Sequence, residues 1–301
     1  MTVTDLLLNS EAVLSDEEKQ IVERYETESE ALRDKIQGLP EEEQVRLTND
    51  FNHSELVVSC DAVLTRHADA YEDQYRLISL LNSMAIIDSL GCDKALRDIH
   101  ISRGLCRNID QTRKPLSSNM MALIEDEVSL PAARNLVLTQ NDKYLSIKGR
   151  SLSRPDNLKS NDVVRDMSEG EKILRKLIEP YKGKVILVDF WGTWCGPCRA
   201  ALSHSHDIHE YMKPYDMIFL YLANRSPEET WKNIIKEYNV TGDNVVHYNL
   251  PEAQQKAIEN FLKVDAFPTY KLIDKEGNIL DVNANPTHTD AFARLVKSIS
   301  E

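Results

Sequence analysis

The sequence predicts an all-α N-terminal region, residues 1–150, followed by an α/β region, residues 151–301, with a central mixed sheet flanked by helices. Three observations carry this. The first half repeats apolar residues at three- and four-residue steps and shows almost no strand pattern. The second half alternates short apolar runs with amphipathic stretches, the signature of a layered α/β unit. Between them, Lys148 to Ser160 holds Gly149, Ser151, Ser153 and Pro155, which is loop chemistry.

Composition narrows the class. A chain of 301 residues with 42% hydrophobic content is long enough for two cores. A net charge of −13 argues against nucleic acid as a partner, because phosphate binding needs a basic face. No stretch approaches the length of apolar sequence that crosses a bilayer. Met1 to Ser10 is too acidic and too poor in apolar residues for a signal peptide. That start fits a cytoplasmic protein or a chain whose leader has been removed.

In the first half, Ser15 and Glu18 form a Ser-x-x-Glu capping box, opening a helix that ends near Gly38-Leu39-Pro40. Residues 1–60 hold fifteen Asp and Glu against five Lys and Arg. The run Glu41-Glu42-Glu43 after Pro40 suits the first turn of the next helix, where negative charge meets the positive end of the dipole. Ser54 to Leu90 reads as one helix, with Leu77, Leu80, Leu81, Met84 and Ile87 on its apolar stripe. Further helices are expected over about 94–108, 119–128 and 132–147.

In the second half, Ser168 and Glu171 form a second capping box for a helix through Ile178. Lys184–Phe190 is the central strand, Cys195–Met212 a helix, Met217–Ala223 the next strand. Pro227 opens a helix carrying Trp231, Ile234, Ile235 and Tyr238. Val245–Tyr248 is a short strand and Pro251–Leu262 a helix. Thr269–Asp274 and Asn278–Asp281 form a hairpin about Lys275-Glu276-Gly277, and Thr289 caps the last helix.

The chemistry concentrates in Trp191-Gly192-Thr193-Trp194-Cys195-Gly196-Pro197-Cys198. The two cysteines fall where the central strand ends and a helix begins. Unpaired N–H groups and the dipole there favour a thiolate, lowering a cysteine pKa from about 8.5 toward about 7 or below. Cys195, first in the pair and nearer solvent, is the expected nucleophile; Cys198 closes a disulfide with it. Half a zinc site is the alternative, but no second Cys-x-x-Cys exists and no metal is expected. Asp189 stands inside the apolar run, so its carboxyl should be hard to ionise. Trp191 and Trp194 are expected to form an apolar rim around the dithiol. His204, His206 and His209 read as a solvated helix face. Cys60, Cys92 and Cys106 read as buried free thiols, with a Cys92–Cys106 bridge or a redox partner role for one of them as the alternatives.

This octet, preceded by Val188-Asp189-Phe190 and followed some way on by Ala266-Phe267-Pro268-Thr269-Tyr270, resembles the thioredoxin superfamily, in wording most of all its TlpA/ResA-like branch. The resemblance implies a thioredoxin-like fold and thiol–disulfide exchange with no cofactor. It implies that Asp189 exchanges a proton with Cys198, and that a cis Pro268 packs against the dithiol. Phe267 and Thr269, with Gly196 and Pro197, then flank the substrate, and the backbone of Phe267 is free to pair with an extended chain. The Gly196-Pro197 pair matches thioredoxin itself and implies a reductant. Implied partners are protein disulfides or dithiols and an upstream thiol donor, in the periplasm or cell envelope. The segment from about 226 to 250 corresponds to an insertion in this branch. Where the family carries a glutamate and a helix-kinking proline after the dithiol, this chain has Ala201 and Ser203, so a straighter helix is expected. Two other functions are compatible with the residues: an interaction scaffold with a thioredoxin-like docking domain, and a thiol peroxidase with Thr193 or Arg199 as activator.

Overall fold

Capping chemistry sets the helices of the N-terminal region. In the computed structural model, which describes residues 2–10 and 12–300, Ser15 and Glu18 satisfy each other's backbone N–H groups. This follows α1 (Val3–Leu8) and opens α2 (Asp16–Ile36). Then come α3 (Glu41–Asn52), α4 (Glu55–Arg66) and α5 (Ala68–Ser89). The single helix expected over 54–90 is therefore broken at His67. At the break Glu18 accepts a contact from His67 Nε2 at 3.2 Å and ion-pairs with Arg66. These bonds, led by the Ser15 N–H, hold the Glu18 carboxyl down to about 2. α6 (Lys94–Thr112), α7 (Ser118–Glu127) and α8 (Pro131–Gly149) complete the helical region.

The chain divides into two compact units. One holds residues up to Arg103 together with Ser117–Arg134; the other holds Gly104–Leu116 and everything from Asn135 onward. The first packs Leu7, Leu14, Val22, Cys60 and Val63 together. Arg97 braces it, donating to the Glu127 carbonyl at 3.1 Å and its carboxylate at 2.7 Å.

The second unit is built on a five-stranded sheet in the order β3-β2-β1-β4-β5. Its elements are α9 (Gly170–Ile178), β1 (Val185–Trp191), α10 (Gly196–Leu202), α11 (Ser205–Met212), β2 (Met217–Ala223) and α12 (Glu228–Tyr238). After them come β3 (Val245–Tyr248), α13 (Glu252–Leu262), β4 (Thr269–Ile273), β5 (Ile279–Leu280) and α14 (Thr289–Ser300). β1, β2 and β3 run parallel; β4 and β5 are antiparallel. This is the thioredoxin-like arrangement of a mixed sheet covered by helices. β1 is buried along its whole length, as a central parallel strand must be. Val185, Leu187 and Trp191 pack on one face, in the cluster that holds both cysteines, and Ile186, Val188 and Phe190 on the other.

The segment around 226–250 supplies α12 and β3. α12 also seats the helical segments that belong to this unit. Thr230 Oγ1 donates to Thr112 O and Asn233 Nδ2 to Arg113 O, both at 2.8 Å. Glu237 accepts from Lys143 at 2.7 Å, and the buried Arg113 is bonded to Tyr144.

Two local expectations change. The Ser168–Glu171 box does not form: α9 starts at Gly170 with no side-chain cap. Packing requires glycine at that start, because a Cβ on Gly170 would lie 2.0 Å from Ala257 O of α13. The helix expected over 195–212 is two helices broken at Ser203–His204, although no proline is present. Ser203 Oγ donates to Ala200 O at 2.7 Å and His204 N to Ala201 O at 3.1 Å, closing α10 with tight turn bonds.

Candidate active site

Cys195 occupies the N-cap position of α10, directly after the strand end, and is joined to Cys198 by a disulfide with an S–S distance of 2.03 Å. Its Sγ accepts the Cys198 N–H at 3.1 Å. Cys198 is fully buried and Cys195 retains 4% exposure, while Gly196 and Pro197 between them face solvent. The pair is thus approached from the Cys195 side.

Asp189 is buried on β1, on the face of Leu187 and Trp191 and hence of the dithiol helix. Its Oδ1 has no hydrogen-bond partner among the described residues. Burial pushes its carboxyl up to about 8. Strand register sets Tyr221 of β2 and Tyr270 of β4 on either side of it. Burial, and then the Asp189 charge, raises both phenols. The flanking groups are two neutral tyrosines, brought there by cross-strand register that no local pattern marks.

The Phe267–Pro268 peptide bond is cis. The loop that carries it sits against the dithiol loop, with Phe267 meeting the Trp194 ring edge-on at 5.3 Å. Thr269 Oγ1 donates back to Ala266 O at 2.7 Å, closing the turn into β4. Cys195, Cys198, Trp194, Phe267 and Pro268 therefore converge on one end of the sheet, at the carboxyl ends of its parallel strands, where open α/β sheets place their sites.

A thioredoxin-like family model matches residues 183–279. The thiol–disulfide oxidoreductase ResA of Bacillus cereus is 32% identical over 123 residues, 40% of this chain; the chain spans 64% of that relative's length, a little under two thirds. The thiol–disulfide oxidoreductase ResA of Bacillus thuringiensis subsp. konkukian is 31% identical over 142 residues, 46% of this chain and 75% of the relative. This chain belongs to the ResA-like thiol–disulfide oxidoreductases. The thioredoxin domain of a thiol–disulfide oxidoreductase from Bacteroides vulgatus is 25% identical in the aligned part, with a TM-score of 0.35, covering 41% of this chain and 84% of that one.

Within this ResA-like site, several residues stand elsewhere than expected. Trp191 does not form the rim. It is the last residue of β1, and the two-residue pleat turns its ring into the core, fully buried. Trp194, two residues past the strand and 50% exposed, is the rim residue. His209 does not lie on a solvated face: it is buried, with Nε2 2.8 Å from the Tyr221 hydroxyl. Burial, helped by His247 and His206, lowers it to about 3. His247 stacks on Tyr221 at 4.7 Å, and burial lowers it to about 4. His204 and His206 are exposed. Of the remaining cysteines, all free, Cys60 is buried and Cys106 half-buried, but Cys92 is exposed. Arg199, weighed as a peroxidase activator, donates to Asp110 O at 3.4 Å, and Thr193 is buried with its N–H on Ser226.

Proposed function

We propose that this oxidoreductase reduces protein disulfides through Cys195 and Cys198. In the reduced form the Cys195 thiolate sits at the start of α10, stabilised by the Cys198 N–H and the helix dipole. It attacks one sulfur of a substrate disulfide; a Cys195–substrate bond forms, the substrate S–S bond breaks, and the other substrate sulfur leaves as a thiolate. Cys198 then gives its proton to Asp189 in its ionised fraction, which a pKa of about 8 leaves available near neutral pH, and attacks the Cys195 sulfur. The enzyme disulfide forms, and the substrate departs having gained two electrons. An upstream thiol donor restores the dithiol. Asp189 suits the proton role because its raised pKa approaches that of a thiol, so transfer in either direction is nearly level.

The substrate is held as an extended strand across Phe267, which lies outside the β4 ladder, next to the cis Pro268. Gly196, Pro197 and Thr269 border the path. No helix among the described residues is long and apolar enough to cross a membrane. We assign the protein to the cell envelope on its ResA-like resemblance. The helical region of residues 1–150 is assigned to recruiting or restricting partners.

The observation that carries this reading is the disulfide at the helix start with the Phe267–Pro268 loop packed beside it. Reduction of insulin coupled to dithiothreitol tests it. Wild-type protein should accelerate insulin precipitation and Cys195→Ser should not exceed the uncatalysed rate; equal rates for the two would refute the reading.

A further inference from the structure

At the mouth of the dithiol the loops after β1 and β2 are tied together. Ser226 Oγ accepts the Thr193 N–H at 3.0 Å and donates to Asn224 O at 2.9 Å. The same carbonyl accepts the Trp194 indole N–H at 3.1 Å. Gly192 lies under the indole, where an added Cβ would approach Nε1 to 2.6 Å. Phe267 closes the ring's edge. Asn224 is anchored in turn, its Nδ2 donating to the buried Glu259 at 2.7 Å. Trp194 is half exposed, yet its orientation is fixed from several directions. An exposed aromatic ring with no rotamer freedom left to lose is a ready binding anchor.

Arg225 completes the surface. Its φ of +40° lies in the left-handed region, which a residue with a Cβ disfavours and which concentrates at functional sites. That backbone turns the guanidinium over the Trp194 ring, at 5.5 Å from its centre, while Nε donates to Asn224 Oδ1 at 3.2 Å. Arg225 is exposed, and among the described residues its charge is matched by ring and amide contacts, not by a carboxylate. A cation is thus held over the ring of the residue that precedes the nucleophile, in a chain of net charge −13.

Building on the reductase reading, we propose that Trp194 and Arg225 form its substrate-selecting surface and favour protein disulfides flanked by Asp or Glu. The indole packs on the side chain next to the substrate half-cystine, and the guanidinium pairs with a carboxylate within a residue or two of it. The covalent step is unchanged; the pair acts on encounter and orientation.

Peptide disulfides identical except for Asp, Ser or Lys beside the half-cystine test this, with the small uncharged hydroxyethyl disulfide as reference. Reduction of the reference by the wild type reports the oxidoreductase reading; the ratio among peptides reports the proposal. The expected kcat/KM is about threefold higher for the Asp than for the Lys peptide at low salt, the scale of one exposed ion pair, and converges in high salt. Arg225→Gln should remove the preference and Arg225→Glu reverse it. Trp194→Ala should slow all three peptides alike. Turnover of the reference with no Asp preference in the wild type, or with the same preference kept in Arg225→Glu, overturns the proposal.

Discussion

Asp189 and His209 are both buried ionisable side chains, on neighbouring elements of one α/β unit, yet they are made for opposite ends. Both are forced neutral by burial, so the acid keeps its proton and the base sheds one. Among the described residues each keeps one buried atom without a hydrogen-bond partner, Asp189 Oδ1 and His209 Nδ1. The difference lies in their surroundings. His209 is bonded through Nε2 to the Tyr221 hydroxyl, and that ring stacks on His247. Asp189 stands on the strand face shared with the dithiol. A buried group tied into stacked rings holds structure together; one beside a reactive pair is available for chemistry.

The sharpest way to break the comparison is Asp189→Asn. If the carboxyl moves a proton during disulfide formation, turnover should fall about 100-fold or more, in the range of a lost general acid–base, and the pH profile should lose its step near 8. Stopped-flow rates from pH 6 to 10 check it; an unaltered profile would return Asp189 to the class of His209.

Stability against pH separates the two groups next. Asp189 ionises at about 4 when unfolded but at about 8 when folded, so its contribution is complete below the lower value and is lost as pH rises through the upper one. The histidines run the other way. Unfolded they protonate near 6.5; folded, near 3 and 4, so their contribution is present above 6.5 and lost as pH falls. Thermal unfolding should therefore show maximum stability near about pH 6.5. Asp189→Asn should abolish the decline above it and raise Tm most at pH 8, and His209→Phe should flatten the acid side.

The smallest effect sharpens the comparison further. Tyr221→Phe leaves His209 Nε2 unpaired and should cost about 1–2 kcal/mol by urea denaturation. Turnover of insulin should change far less than in Asp189→Asn. A Tyr221→Phe enzyme as slow as Asp189→Asn would place the phenol in the proton path.

Part of this arrangement is legible in the sequence. Ser205, Ile208, His209 and Met212 follow the i, i+3, i+4, i+7 stripe of a buried helix face, so the burial of His209 was written in its spacing. Val185, Leu187, Asp189 and Trp191 alternate along one strand face, which already sent the Trp191 ring inward. No signal marked Arg225: its left-handed backbone depends on where β2 stops and α12 begins. Nor did anything local announce the seating of Thr112 and Arg113 on α12, since side chains distant in sequence supply those bonds.

By itself the sequence determined the strand–dithiol–helix order, the proline loop, the capped helix at Ser15 and the raised pKa of Asp189. Those follow from short-range periodicity, capping and desolvation, each legible within a few residues. What flanks Asp189, how the Trp194 ring is held and how Arg225 is aimed were decided only by tertiary structure. Strand register and loop-to-loop hydrogen bonds join residues dozens of positions apart, and no local pattern encodes such a meeting.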